Sequence, residues 1–252
     1  MNISNRTALI TGGGSGIGFE IAKLLSNNGN AVILTGRNES KLKDAAKQLK
    51  GADIFVADVT QKEDLEKLVS YLYKKYPELD ILINNAGLMF DYDLSKDTGI
   101  YDKARAEIIT NYSSVVYLTE KLLPGLKAQS EAAIVNVTSI LALSPAAGVS
   151  TYSASKAALR SFTLSLRFAL AKSTNVKVFE LLPPLVDTDL SKNVGGTGGI
   201  PASAVASDLL NGLKNDIFEV AVGQTSDFRD NFFPAANTAF DMLNKPGGSL
   251  AE

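Results

Sequence analysis

Residues 11–18 read Thr11-Gly-Gly-Gly-Ser-Gly-Ile-Gly18 and stand between a short apolar run and an amphipathic helical stretch. Glycines let the backbone turn tightly and approach an anion closely, and the N-terminus of a following helix supplies N–H donors and positive potential. A glycine-rich turn between a strand and a helix is typical of a βαβ unit that binds a dinucleotide pyrophosphate. We therefore expect cofactor contacts from Gly12, Gly14, Ser15, Gly16, Ile17 and Gly18.

Short apolar runs alternate with helical spacing along most of the chain. Such runs are typical of strands buried on both faces of a parallel sheet, and Leu65–Leu72 has the i, i+3, i+4, i+7 spacing of a helix packed on one. This alternation predicts one α/β domain over residues 1–252: a doubly wound parallel sheet (Rossmann fold) of about seven strands with helices on both faces. The predicted strands are Ala8–Thr11, Ala31–Thr35, Ile54–Val56, Ile81–Asn84, Ala133–Val137, Val176–Leu182 and, as a possible seventh, Glu219–Gly223.

The composition of the 252 residues narrows the possible chemistry: 45% are hydrophobic, 21% are charged and the net charge is −2. This balance offers no basic surface for nucleic acid or an anionic membrane. Cysteine and histidine are absent, which excludes a disulfide framework, a thiolate nucleophile, an imidazole base and a typical zinc site. We expect no metal, and acid–base chemistry must come from Tyr, Lys, Asp or Glu. No apolar run has transmembrane length and Met1–Ile10 lacks signal-peptide features, so a cytoplasmic location is expected.

The end of the second predicted strand indicates which dinucleotide is bound. An acidic residue at this point would accept a hydrogen bond from the ribose 2′-hydroxyl of NAD. This chain instead has Gly36-Arg37-Asn38, and a guanidinium suits a 2′-phosphate in charge and in geometry. We expect Arg37 and Asn38 to favour NADP(H), with NAD(H) as the alternative; Arg37 could also be a surface residue without a ligand.

Tyr152 and Lys156 form the candidate chemical pair. In Tyr152-Ser-Ala-Ser-Lys156 the two side chains lie one helical turn apart on the same face. A free tyrosine titrates near pH ~10, and a neighbouring cation would lower that pKa. Tyr152 is then a plausible proton donor and acceptor for an alcohol and carbonyl pair, although this spacing is also common on solvated helices.

Residues 187–201 depart from the regular alternation, because they contain Gly195-Gly-Thr-Gly-Gly199 and few apolar residues. The segment is either a plain surface loop or a lid over a site at the carboxyl ends of the strands. We expect Leu141, Leu143, Ala146, Leu185 and Gly195–Gly199 to complete an apolar substrate pocket.

Taken together, these features resemble the short-chain dehydrogenase/reductase family, of the NADP-preferring carbonyl reductase type. The resemblance extends from Thr7 to about Gly223 and rests on several motifs in order. They are the glycine-rich turn, Asp58-Val59, Asn84-Asn-Ala-Gly87, Asn111, Thr138-Ser139, Tyr152-Ser-Ala-Ser-Lys156 and Pro183-Pro-Leu-Val-Asp-Thr188. Many members of the family have Pro-Gly where this chain has Pro183-Pro184.

The resemblance implies roles for four catalytic residues. Tyr152 would protonate the substrate oxygen, and Ser139 would donate a hydrogen bond to it. Lys156 would lower the pKa of Tyr152 and bind the nicotinamide ribose. Asn111 would order a water next to Lys156, which fits the otherwise unfavourable placing of an asparagine inside a helix. Further cofactor contacts are implied for Asp58, Val59, Asn85, Ala86, Gly87, Tyr152, Lys156, Pro183, Val186 and Thr188.

The expected activity is hydride transfer between NADP(H) and a small-molecule ketone, aldehyde or alcohol. A 3-oxoacyl thioester reductase and an NADP-sensing protein without turnover are alternatives. Apolar residues nearly all round the helices near 108–123 and 151–170 predict a homo-oligomer, a dimer or a tetramer, with deep burial in one chain as the other interpretation. We expect the tail after Asn244 to be disordered or to contact a neighbouring subunit.

Overall fold

The computed structural model of the chain describes residues 1–233, 235 and 240. The main sheet in this part of the chain has seven parallel strands, which confirms the predicted fold class. Its strands are β1 (Thr7–Thr11), β2 (Ala31–Gly36), β3 (Asp53–Val56), β4 (Ile81–Asn84), β5 (Ala132–Val137), β6 (Val176–Leu182) and β9 (Glu219–Ala221). Their order across the sheet is β3-β2-β1-β4-β5-β6-β9, and the short strands β7 (Val186–Asp187) and β8 (Ile200–Pro201) form a separate pair. The predicted tail after Asn244 lies outside the described residues.

Helices cover both faces of this sheet. They are α1 (Gly16–Asn27), α2 (Glu39–Ala46), α3 (Lys62–Lys75), α4 (Ile100–Ile108), α5 (Ser114–Ala128), α6 (Ser150–Ala171), α7 (Ala202–Lys214) and α8 (Gln224–Phe232). A π-helical segment, Ile109–Ser113, joins α4 to α5. Within the described residues, none of the helices combines the length and the apolar character needed to cross a membrane.

Two hydrophobic cores hold these layers together. Successive side chains of a strand point to opposite faces, so Ala8 and Ile10 pack with α1 and α7, whereas Leu9 packs with α3 and α5. All three side chains are fully buried. Burying a side chain such as Leu or Ile contributes roughly 1.5–3 kcal/mol, so each core fixes its helices firmly on the sheet.

The position of β1 determines where a ligand site can form. It pairs with β2 on one side and with β4 on the other, so the chain crosses over at this point. Open parallel sheets bind ligands in the crevice beyond the carboxyl ends of the strands at such a switch point. The glycine-rich turn, which directly follows β1, therefore lies at the mouth of this crevice.

Residues 187–201 are folded more closely than a plain loop. The short strands β7 (Val186–Asp187) and β8 (Ile200–Pro201) pair in parallel and enclose two turns of 3₁₀ helix. A β-carbon at Gly196 would lie 2.7 Å from the carbonyl carbon of Ser191, and one at Gly199 would lie 2.6 Å from the Leu185 oxygen. Gly196 and Gly199 are thus required for close packing within the segment; its function as a lid stays a prediction.

Candidate active site

The glycine-rich turn is held by close backbone contacts at the end of β1. Gly12 and Gly16 have φ angles of +65° and +55°, which favour glycine. A β-carbon at Gly12 would come within 2.9 Å of the Asn85 amide nitrogen, and one at Gly18 within 2.5 Å of the Gly12 oxygen. Gly12 and Gly18 are therefore fixed by packing, whereas Gly14 has ordinary space against α2.

A hydrogen-bond clamp joins the glycine-rich turn to the segment after β4. The Thr11 hydroxyl accepts the N–H groups of Asn85 and Ala86 at 2.9 and 3.0 Å. The Asn85 amide donates to the carbonyl oxygens of Thr11 and Gly12 at 2.9 and 3.2 Å. Asn85 therefore shapes the crevice through its side chain. Sequence reasoning missed Thr11 as a functional residue, because it reads as the last residue of a buried strand.

Three adjoining cavities follow the carboxyl ends of the strands. The outer one, of about 140 Å³, includes Gly12, Arg37, Asp58, Val59, Ala86 and Gly87 in its lining. The central one, of about 190 Å³, includes Ser15, Gly16, Ile17, Asn85, Thr138, Tyr152, Lys156, Pro183 and Thr188. The inner one, of about 250 Å³, shares Ile17, Tyr152, Pro183, Thr188 and Leu190 with the central cavity. Most of the predicted site residues are thereby brought to one crevice.

The outer cavity contains the residues expected to select the dinucleotide. The Arg37 guanidinium is largely exposed and lies 4.0 Å from the Asp58 carboxylate. Asp58 also accepts hydrogen bonds from the N–H and the hydroxyl of Thr60 at 2.9 and 2.8 Å. The Asn38 side chain accepts the N–H of Lys41 at 3.0 Å and so caps α2. Asn38 does not line the cavities described above, and its contact with a cofactor stays a prediction.

Lys156 is buried in the central cavity with 3% of its surface exposed. Its ammonium donates a hydrogen bond to the Val137 carbonyl oxygen at 2.8 Å. It forms no ion pair with any carboxylate in the described part of the chain. Because burial disfavours the charged form, the pKa of Lys156 falls to about 8. The ammonium is still mostly protonated at neutral pH and points a positive charge towards the crevice.

Tyr152 lies one helical turn before Lys156 in α6 and lines both the central and the inner cavity. Burial raises its pKa to about 12, the Ser139 hydroxyl opposes that rise, and the charge of Glu107 adds to it. The expected lowering of the Tyr152 pKa is wrong for this structure, because burial is the largest influence on the phenol and the net shift is upward. The ammonium lies 5.7 Å from the ring centroid. The phenol is therefore protonated at neutral pH.

Asn111 is fully buried in the π-helical segment between α4 and α5. Its amide nitrogen donates to the Leu88 carbonyl oxygen at 2.8 Å and to the Ser155 hydroxyl at 2.9 Å. Its side-chain oxygen accepts the Leu88 N–H at 2.8 Å. Both amide hydrogens are thus engaged by protein atoms. π-Helical turns are frequent at functional sites, but one extra residue in a helix leaves no clear signal in a sequence.

Ser139 stands at the entrance of the inner cavity, after β5. Its hydroxyl oxygen accepts the N–H of Leu141 at 3.1 Å, which leaves the hydroxyl hydrogen free to turn towards the cavity. The preceding Thr138 donates its hydroxyl hydrogen to the buried Glu180 carboxylate at 2.7 Å. No local feature of the sequence connects Glu180, in the middle of β6, with the site.

The inner cavity is mainly apolar, and its lining corrects part of the prediction. Leu141, Ala146 and Leu185 line it as expected, but Leu143 and Gly195–Gly199 do not. Leu143 follows the short helical turn Ile140–Ala142, and Gly196 and Gly199 pack against Ser191 and Leu185 of their own segment. The wall is completed instead by Met89, Ile140, Val149, Pro184, Leu190 and Val194.

Residues 183–189 connect this wall to the glycine-rich turn. Pro183 accepts the Ile140 N–H at 2.9 Å through its carbonyl oxygen. The Val186 carbonyl oxygen accepts the Ser191 hydroxyl, and the Thr188 methyl group lies opposite Gly16. The Asp189 carboxylate pairs with Lys41 of α2 at 2.8 Å, so residues 187–201 contact both sides of the crevice. Lys41 is a site neighbour that sequence reasoning missed.

Comparison with known proteins gives a consistent family. The sequence model of the family described as short chain dehydrogenase matches residues 6–197. The uncharacterized oxidoreductase DltE of Bacillus subtilis (strain 168) is 38% identical over 249 residues, which cover 97% of this chain and 98% of that protein.

Two solved structures are similar over most of the chain. A short chain dehydrogenase from Burkholderia cenocepacia J2315, in complex with NADP, is 27% identical with a TM-score of 0.82 and covers 98% of this chain and 100% of its own. The 3-ketoacyl-(acyl-carrier-protein) reductase from Brucella melitensis, complexed with NADH, is 25% identical with a TM-score of 0.75. The latter match covers 83% of this chain and 90% of that one.

Proposed function

The chain belongs to the short chain dehydrogenase family of oxidoreductases, and from this premise we propose that it interconverts a carbonyl group and an alcohol with NADP(H). One observation carries the proposal. Tyr152 is the titratable side chain that, within the described residues, lines both the central cavity beside the glycine-rich turn and the inner apolar cavity. A proton donor at that junction can reach a substrate oxygen whose carbon faces a cofactor.

The residues of the outer and central cavities fit a nicotinamide dinucleotide. Ser15, Gly16 and Ile17 present the N-terminus of α1 to the central cavity, where N–H groups and positive potential suit a pyrophosphate. Within the described residues the buried Lys156 ammonium has no carboxylate partner, so it can donate to ribose hydroxyls. When bound, the nicotinamide supplies or accepts the hydride.

The protein would then position the carbonyl and manage one proton. Because its pKa is raised to about 12, Tyr152 carries its proton at neutral pH and can give it to a carbonyl oxygen during reduction. Ser139 would donate a second hydrogen bond to the same oxygen, where negative charge develops. Lys156 would stabilise the phenolate left behind, and Asn111 would hold Ser155 and Leu88 in place around it.

The preference for NADP(H) over NAD(H) is the finer part of the proposal. It rests on Arg37, whose exposed guanidinium lines the outer cavity, and on Gly36 in the place of an acidic residue. A guanidinium can bind a 2′-phosphate through two parallel hydrogen bonds. The Asp58 carboxylate, 4.0 Å away, would orient Arg37 across the cavity.

The apolar inner cavity favours a small carbonyl compound with a hydrophobic body. Its volume of about 250 Å³ suits a ketone or aldehyde of moderate size. The similarity to a 3-ketoacyl-(acyl-carrier-protein) reductase keeps an acyl thioester within the substrate panel. A cofactor-sensing role without turnover is less favoured, since all four candidate catalytic residues are present.

Oligomer, lid and location are further parts of the proposal. Phe162, Leu164, Leu166 and Phe168 of α6 are only half-buried within the described chain, which supports a homo-oligomer built on this helix. Residues 187–201 would act as the lid, since Leu190 lines both the central and the inner cavity and Asp189 forms an ion pair with Lys41 of α2 across the crevice. We keep the cytoplasm as the proposed location, because the chain has no cysteine to use in an oxidising compartment.

Replacing Tyr152 with phenylalanine tests the activity. We expect Tyr152→Phe to reduce carbonyl turnover by about 10³-fold, because the ring stays in place and the transferable proton is lost. The rate is followed by NADPH absorbance with ketones, aldehydes and acyl thioesters, and NADPH affinity is measured by fluorescence titration. Affinity should change less than about threefold.

Tyr101→Phe is the matched control, because Tyr101 is the most exposed large hydrophobic side chain of the described residues and lies outside the crevice. It should behave as the parent protein does. Unreduced turnover in Tyr152→Phe would refute the proton-transfer role and with it the proposed function.

A further inference from the structure

Glu107 is a buried acidic residue that the proposed chemistry does not use. It lies on α4, one helical turn before Asn111, and has no exposed surface. One carboxylate oxygen accepts the Phe90 N–H at 2.8 Å, and the other has no partner with ordinary hydrogen-bond geometry. Burying a carboxylate that is half satisfied is costly. A side chain retained at such a position calls for a functional explanation.

Glu107 and Asn111 hold the same short segment after β4. Asn111 makes two hydrogen bonds with Leu88, both at 2.8 Å, and Glu107 holds the N–H of Phe90 two residues later. The residue between these anchors is Met89, which lines the inner cavity. Glu107 and Asn111, on neighbouring turns of the continuous helix formed by α4 and the π-helical segment, therefore fix the backbone on both sides of Met89.

The other end of this segment is attached to the helix that carries the proton donor. The Tyr92 hydroxyl accepts the N–H of Thr151, at the start of α6, at 2.8 Å and donates to the Thr151 hydroxyl at 2.7 Å. The Tyr92 N–H also donates to the Gly148 carbonyl oxygen at 3.0 Å. Residues 88–92 thus link Glu107 and Asn111 to the turn of α6 that contains Tyr152.

The charges around Glu107 connect it with the same phenol. Lys103 approaches from its own helix, and the Thr151 hydroxyl and Tyr152 approach from α6. Burial raises the pKa of Glu107, and the Thr151 hydroxyl, the Phe90 N–H and the Lys103 ammonium oppose that rise. Once ionised, Glu107 raises the pKa of Tyr152. Its removal should therefore change the pH response of the reaction as well as the shape of the cavity.

We propose that Glu107 is a positioning residue of the reaction, which fixes the Met89 wall of the substrate cavity relative to Asn111 and Tyr152. The inference rests on the proposed function, since it assigns the inner cavity to the substrate. The carboxylate contacts neither the central nor the inner cavity; it acts through the backbone of residues 88–90.

Two substitutions separate the parts of this role. Glu107→Ala removes the Phe90 hydrogen bond, and we expect KM for the carbonyl substrate to rise about tenfold while NADPH affinity and kcat change less than about threefold. Glu107→Gln keeps an oxygen for that N–H, so KM should return to within about twofold of the parent value. Because the charge behind Tyr152 is gone, the alkaline limb of the kcat/KM profile should move to lower pH in this variant.

Glu63→Gln on the exposed start of α3 is the control and should leave KM and the pH profile unchanged. A parental KM in Glu107→Ala would overturn the inference. If that variant does not fold, Glu107→Asp decides, because it keeps the charge and withdraws the carboxylate from the Phe90 N–H. A raised KM in Glu107→Asp supports the role, and a parental KM refutes it. Tyr152→Phe, assayed in parallel, keeps the two proposals apart. If Tyr152→Phe is active, the proposed function is refuted. If Tyr152→Phe is inactive and the Glu107 variants behave as the parent protein does, only the positioning role is refuted.

Discussion

The two ends of the sheet use charge in opposite ways. At the amino end, Arg6 pairs with Asp80 at 3.1 Å and with Glu131 at 2.6 Å, and Lys177 pairs with Glu131 at 3.1 Å. These pairs connect the starts of β1, β4, β5 and β6. At the carboxyl end, Lys156 has no carboxylate partner within the described residues. One end uses its charges to join strands, and the other keeps a charge available for a ligand.

The difference has an energetic consequence. A buried charge with a partner recovers part of its desolvation cost through attraction, whereas an unpartnered one does not. Burial accordingly lowers the pKa of Lys156 to about 8. The carboxyl end should therefore contain residues that activity requires and stability does not, and the amino end the reverse.

Among substitutions at the carboxyl end, Lys156→Met should have the largest effect. We expect turnover to fall by more than about 100-fold, because the phenolate of Tyr152 and the ribose lose their cation. The free energy of unfolding at pH 7 should rise by roughly 1–2 kcal/mol. The substitution removes the cost of burying a charge, and this gain is larger than the loss of the hydrogen bond to Val137. Steady-state kinetics and urea unfolding measure the two effects.

The pH dependence of that stability gain has a definite sign. The pKa of Lys156 lies below its ordinary value, so the unfolded state binds more protons between about pH 8 and 10.5. The parent protein regains stability as pH rises through this window, and its difference from Lys156→Met should shrink there. Lys127→Met, at an exposed position of α5, is the control. A destabilised Lys156→Met at pH 7 would contradict the view that the charge is held at a cost.

Arg37→Asp sharpens the comparison within the carboxyl end, because Arg37 is exposed and not buried. A carboxylate would repel a 2′-phosphate and accept a hydrogen bond from a 2′-hydroxyl. We expect the ratio of kcat/KM for NADPH over NADH to fall by about 100-fold, with little change in stability. Arg105→Asp, at an exposed position of α4, gives the matched charge change away from the cavities. An unchanged ratio would remove Arg37 from the recognition of the dinucleotide.

Arg6→Ala tests the amino end. Asp80 is 7% exposed, and the loss of Arg6 leaves it with the Thr7 N–H as its remaining strong partner. We expect a loss of about 2 kcal/mol at pH 7 and unchanged kcat. The loss should become smaller as the pH falls, because burial raises the pKa of Asp80 and the carboxylate takes up a proton more readily. Lys47→Ala removes the exposed pair with Asp44 and should cost less than about 0.5 kcal/mol. A kinetic defect in Arg6→Ala without loss of stability would end the division between the two ends.

How far the sequence predicts the molecule also differs between regions. The strands and the glycine-rich turn follow from local patterns, since apolar periodicity and glycine content are properties of adjacent residues. The spacing of Tyr152 and Lys156 predicts a shared helical face and does so correctly. The crevice itself depends on residues far apart in sequence, such as Thr11 with Asn85 and Glu107 with Phe90.

The direction of the Tyr152 pKa shift shows why the remainder could not be predicted. The sequence displays a cation one turn away and suggests a lowered value, but burial is set by every element that packs around the phenol. The same holds for Asn38, whose side chain caps α2, and for Leu143, which does not line the inner cavity. Such properties belong to the assembled fold.

Glu180→Gln tests a charge that lies between the two ends of the sheet, in the middle of β6. Glu180 forms an ion pair with Arg160 of α6 and accepts a hydrogen bond from Thr138, beside the site. Burial raises the pKa of Glu180 to about 7, although Arg160 opposes the rise. Between about pH 4.5 and 7 the folded state therefore binds more protons than the unfolded state, and this group makes stability fall as pH rises. The glutamine variant lacks that contribution.

The stability of the parent protein relative to Glu180→Gln should therefore decline by roughly 1–2 kcal/mol from pH 4.5 to pH 7, measured by urea unfolding at both values. For Glu120→Gln, at an exposed position of α5, the stability difference from the parent protein should not change with pH. A parent protein that gains stability over this range relative to the variant would mean that Arg160 holds Glu180 ionised throughout. Glu180 and Arg160 would then form an ion pair like those of the amino end. Of these three buried charges, Lys156 would remain the one held without an ion-pair partner within the described residues.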